Sequence, residues 1–129
     1  MTIIILAVIG IVILGVAIHL LTRKSQHMTQ EDLIELSEDM NKECPKIVAE
    51  NVRLDRVSVE QDMSMIYTYT MLKVDPNALT EENLNNMKQS LLQHYKTAKD
   101  FAIFRKNNVG VIFVYKNTEG NELLSLECK

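Results

Sequence analysis

The chain has 129 residues, 47% of them hydrophobic and 24% charged, with a formal net charge of -3 and a pI near 5.6. It is too short for two ordinary domains and too apolar for a disordered tail. The mild acidity, without a concentrated basic face, excludes nucleic acid as an expected partner.

The apolar residues are unevenly spread. From Thr2 to Leu21 there is no Lys, Arg, Asp or Glu, and Thr2 and His19 are the polar side chains of that stretch. About twenty helical residues rising roughly 1.5 Å each would span about 30 Å, the hydrocarbon thickness of a bilayer. The sequence therefore predicts a transmembrane anchor over residues 1–22, meeting the lipid bilayer through residues 2–22, in a single-pass protein of the cell (inner) membrane. A cleaved signal peptide would carry basic residues ahead of a shorter apolar centre. Here no Lys or Arg precedes the run, which continues through Ile18, Leu20 and Leu21. Arg23 and Lys24 follow it directly, and that charge bias favours the cytoplasm for the remainder.

Residues 23–30 read as a polar linker and 31–129 as one small domain. Thr29 suits a helix N-cap, Glu31 and Asp32 suit the first turn, and Leu33, Leu36, Met40 and Cys44 recur at helical spacing. Pro45 cannot continue the ladder, so this helix should end by Glu43. From Val52 the period changes to two. RLDRVSVE and MSMIYTYTML predict an antiparallel hairpin turning at QDMS, with Met65, Tyr67, Tyr69 and Met71 on one face. Leu54 and Val57 cannot share a face in a regular strand, which predicts either a bulge or a late start of the strand near Asp55.

Asp75-Pro76-Asn77 breaks the second strand and Thr80 caps a second helix, whose stripe is Leu84, Met87, Leu91, Tyr95 and Ala98. VGVIFVYK and ELLSLEC then form a second hairpin around Asn117-Thr118-Glu119-Gly120-Asn121. The expected fold class is α+β: a transmembrane helix, then an α-ββ-α-ββ domain with an antiparallel sheet of about four strands covered by two helices.

NKECPKIVAENVRLDRVSV, YTYTM and FRKNNVGVIFVYKNTEGNELLSLE together resemble a family of small, uncharacterised bacterial domains, membrane-anchored or exported. The resemblance covers most of residues 36 to 127. It implies a hydrophobic N-terminal segment, an α+β domain and an extracytoplasmic location, and it carries no catalytic or binding residues.

The residues offer little chemistry. His19, His27 and His94 show no ligand spacing, and the two cysteines form no Cys-x-x-Cys pair. Neither a metal nor another cofactor is expected. Cys44 and Cys128 are either a disulfide between the first helix and the last strand, which would place the domain outside the cytoplasm, or two separate thiols. Arg53, Asp55 and Arg56 form a charged cluster that reads as a structural ion pair or an interaction site. Tyr67 and Tyr69 read as a packing row before a ligand platform. The expected function is thus not enzymatic: an interaction or assembly module engaging a protein partner, with a small-ligand binder as the alternative.

Overall fold

The computed structural model describes residues 27–129. The expected anchor, 1–22, lies outside the described residues, as does the linker before His27. Among the described residues no helix is long and apolar enough to cross a membrane.

Helix α1 (Gln30–Asn41) starts where the sequence places it. The Thr29 hydroxyl accepts from the Asp32 N–H, the Asp32 carboxylate accepts from the Thr29 N–H, and Glu31 and Asp32 occupy the positive end of the helix. Strands β1 (Lys46–Ala49), β2 (Val52–Glu60) and β3 (Ser64–Met71) follow. After a short 3-10 turn, helix α2 (Glu81–Thr97) begins at its Thr80 cap, as expected. A second 3-10 turn leads into the one-turn helix α3 (Ala102–Lys106), and β4 (Gly110–Lys116) and β5 (Glu122–Cys128) complete the chain.

The α+β class holds, but the expected sheet is corrected. It has five strands in the order β1-β2-β3-β4-β5, and it is mixed. Both expected hairpins are present, β2 with β3 and β4 with β5, each antiparallel. They join through a parallel β3–β4 pair, in which Ser64 lies beside Gly110 and Thr70 beside Lys116. The physical reason is the connection. α2 carries the chain back along the sheet, so β4 restarts at the end where β3 began, and a crossover of this kind aligns strands in parallel. β1 adds the fifth strand, and α3 makes three helices among the described residues where two were expected.

The bulge is also present: the β2–β3 register shifts between Leu54 and Arg56, and Leu54 and Val57 are both buried on one face. At the far hairpin Gly120 has φ +87°, and the Asn117 side chain accepts from the Glu119 and Asn121 N–H groups, which closes the turn.

The outer edge of β2 is satisfied by two devices. β1 pairs with it only as far as Leu54. Beyond that point α1 takes over: Asn41 donates to the Val57 carbonyl at 2.7 Å and accepts from the Val57 N–H at 2.8 Å, and Gln30 donates to the Glu60 carbonyl at 2.8 Å. Two helix side chains thus substitute for a neighbouring strand. Replacing Asn41 by Ala leaves both Val57 groups without protein partners, a loss expected to be about 1–3 kcal/mol. Equilibrium urea unfolding of N41A should show that loss, and amide hydrogen exchange should show faster exchange at Val57.

Candidate interaction surface

The pleat sorts the strands into two faces. On one, Met65, Tyr67, Tyr69 and Met71 of β3 lie beside Val111, Phe113 and Tyr115 of β4. All three helices pack there, through Leu33 and Leu36 of α1, Met87, Leu91 and Tyr95 of α2, and Phe104 of α3. The seven aromatic residues of the chain are all buried in this core. Tyr69 stacks on Tyr115 at 4.6 Å between centroids, and Phe101 meets Phe113 edge-on at 6.2 Å. Each such ring contributes roughly 1.5–3 kcal/mol by leaving water.

The opposite face receives no buried helix side chain among the described residues. Its rows follow from the register: Arg56, Thr68, Val114 and Ser125 across one, and Ser58, Ile66, Ile112 and Glu127 across the next. Ile66, Ile112 and Val114 are half-buried in the centre, Arg56, Ser125 and Glu127 are exposed at the sides, and Thr68 and Thr70 are buried. This is a small apolar centre with a mostly polar rim, to which β1 adds the exposed Ile47 beside Arg53.

The charged cluster lies at the edge of that face. The β2 bulge turns Asp55 toward it, where one carboxylate oxygen meets Arg53 Nε at 2.6 Å and the other accepts from the Thr70 hydroxyl at 2.5 Å. Arg53 and Asp55 are therefore a positioned ion pair, and Arg56 stands apart from it, exposed beside Thr68. Tyr67 and Tyr69 lie on the other side of the sheet, fully buried, which excludes them from any surface.

Of the two readings of the cysteines, the structure has the separate thiols: both are free. Cys44 lies ahead of β1, its thiol donating to the Met40 carbonyl, and Asp55 and Tyr69 are close enough to interact with it electrostatically. Cys128 ends β5 in the row of Val111 and Met65. Lys46, two residues after Cys44, starts β1 while Cys128 ends β5, and these are the opposite edges of the sheet, four strand spacings or about 19 Å apart, beyond the roughly 7 Å a disulfide tolerates between Cα atoms. Among the described residues no cluster of three His, Cys, Asp or Glu could hold a metal ion. His94 packs edge-on to Phe101 at 5.6 Å, beside an open groove on α2 to which Gln89, Ser90, Gln93 and Thr97 contribute.

Sequence reasoning missed the polar side chains that organise this frame. Asn41, Gln30 and Asn107 each bond to backbone far away in the chain. The visible signal is an Asn at the end of the apolar stripe of α1.

Residues 27–124 match a family described as a domain of unknown function, DUF8479. The chain belongs to that family. Among curated proteins, none matches it. Two solved structures resemble this DUF8479 domain. One is a "putative secreted protein" from Pseudomonas aeruginosa, with 8% identity and a TM-score of 0.62, covering 89% of this chain and 93% of that one. The other is EpsS, a pilotin from the Vibrio vulnificus type 2 secretion system, with 10% identity and a TM-score of 0.57, covering 78% and 86%. At these identities the likeness is one of fold.

Three core hydroxyls of the DUF8479 domain, those of Tyr67, Tyr69 and Tyr115, are buried without a hydrogen-bond partner, whereas Tyr95 donates to the Val109 carbonyl at 2.9 Å. Removing an unpaired hydroxyl removes a desolvation cost, and removing a paired one strands its acceptor. Tyr69→Phe should therefore leave stability unchanged or raise it, and Tyr95→Phe should lower it by about 1–2 kcal/mol, both read from urea unfolding midpoints. The same burial, followed for Tyr69 by its neighbours Tyr115, Tyr67 and Cys44, pushes these phenols well above their ordinary value of 10.0. A folded pKa above the unfolded one contributes stability that is present below pH 10 and lost as pH rises past it. The loss is up to about 1.4 kcal/mol per pH unit for each tyrosine. Unfolding midpoints measured between pH 8 and 11 should fall, and fall less in Tyr67→Phe.

Proposed function

We propose that the protein is a non-catalytic interaction or assembly module, tethered to the membrane by residues 2–22, that offers the helix-free face of its sheet to a protein partner. The observation that carries this reading is the in-register patch of Ile66, Ile112 and Val114 bordered by Arg56, Ser125 and Glu127, an apolar centre within a polar rim. The likeness of fold to a pilotin, a protein of a secretion assembly, supports it. The fold shared with a protein described as secreted favours an extracytoplasmic domain, and the free thiols and Arg23 with Lys24 favour the cytoplasm. A small-ligand binder is the second reading, supported by the three unpartnered phenol hydroxyls between sheet and helices.

The test places a photo-crosslinking residue at Ser125 or, as control, at Glu82 on α2 in the full chain, expressed in its native membrane. The expected result is a discrete protein adduct from position 125, recovered in the carbonate-resistant membrane fraction and reduced about tenfold by Val114→Asp, with none from position 82; a tenfold loss corresponds to about 1.4 kcal/mol. An adduct from position 125 that Val114→Asp leaves undiminished, with the variant's circular dichroism intact, would overturn the reading.

A further inference from the structure

The chain enters the domain at one end of the sheet and is clamped there. Met28 is 4% exposed and its N–H donates to the Asn107 side chain at 3.1 Å. Thr29 follows with its reciprocal cap, and Gln30 bonds to the last residue of β2. The same end holds the 61–63 turn, whose Met63 carbonyl accepts from the Gly110 N–H, and the Asn107–Val109 turn. Lys129 is there too, with its ammonium 3.7 Å from Asp62. The turns at 50–51, 72–79 and 117–121 lie at the other end, beyond the eight residues of β3, about 26 Å away at 3.3 Å per residue.

The expected anchor ends at residue 22, so Arg23 to His27 are the residues left to join it to the clamp. Five residues reach at most about 18 Å even when fully extended. We infer that the Gln61–Met63 and Asn107–Val109 end of the sheet rests against the lipid headgroups and that the turns at 50–51, 72–79 and 117–121 point away from them. The inference rests on the membrane-tether reading above. It adds a fixed orientation, because clamping from Met28 onward leaves the domain little freedom to turn its other end toward the bilayer. The helix-free face then stands beside the membrane, reachable by a partner anchored in the same bilayer.

The full chain carrying Cys44→Ser and a nitroxide at either Gln61→Cys or Glu119→Cys would be placed in nanodiscs of phosphatidylcholine and phosphatidylglycerol doped with a gadolinium-chelating lipid. Cys128 is buried and can remain. The expected result is paramagnetic relaxation enhancement at position 61 several-fold larger than at position 119. Inserting about twelve Gly and Ser residues after Gln26, which leaves every described contact intact, should cut that difference at least by half, since it adds roughly 40 Å of reach. Equal enhancement at both positions in a retained chain, or a difference the insertion does not change, would overturn the orientation alone. Failure of the chain to stay in the discs would overturn the tether and the orientation together.

Discussion

Seven rungs join β3 to β4, from Ser64 beside Gly110 to Thr70 beside Lys116, and they run in parallel at the centre of the sheet. A parallel pair needs a crossover, so residues 72–109 must climb back over one face, and α2 is the element that does so. That single arrangement decides which face is core. It places Tyr69 against Tyr115 and Tyr67 against Phe113, 6.0 Å apart, and it brings Phe101 and Phe104 over the same layer. With all seven aromatic residues of the chain on one side, the other side keeps Ile66, Ile112 and Val114 at its centre and the exposed Ile47 at its β1 edge as apolar side chains. The helix-free face follows from the crossover.

Much of this was legible in the sequence because it is local. Thr29 and Thr80 announce their helices, the alternation in MSMIYTYTML gives β3, and the phase change between Leu54 and Val57 gives the bulge. The parallel junction was missed because each hairpin was read by itself, although strand, helix and strand within one sheet already implied it. β1 was missed for a different reason: four residues after a proline carry too little period to register as a strand. The charged cluster was half legible. Arg53 and Asp55, two residues apart, are a pair the sequence can suggest, but that Thr70 supplies the second bond to Asp55 depends on a register no local pattern encodes. Likewise the cysteines, 84 positions apart in sequence, could be separated only by knowing their rows.

The clamp at the domain entrance shows how a short amphipathic helix can serve both core and edge. α1 buries Leu33, Leu36 and Met40, and from its two ends it projects Gln30 and Asn41 onto β2 backbone that β1 is too short to reach. An uncovered edge beyond Leu54 would be a template for another chain. Covering it with α1 fixes the position of Met28 relative to the sheet. The device that protects the edge is also the device that would orient the domain on its tether.

The shifted titrating groups of the domain share one cause, burial. Acid–base and nucleophilic sites bring pKa values toward neutrality by pairing a group with an opposite charge or a base. Here burial moves Cys44, Cys128, Tyr67, Tyr69, Tyr95 and Tyr115 all in the other direction. Cys128 rises from 9.0 to about 11, and Cys44 is raised first by burial and then by Asp55 and Glu43. A thiol held protonated at neutral pH is a weak nucleophile and a poor metal ligand. The carboxylate with the best-defined partners, Asp55, has both oxygens engaged by Arg53 and Thr70 and neither aimed at open space. The docking role proposed above asks of the domain only shape and charge on its sheet, and these groups are consistent with it.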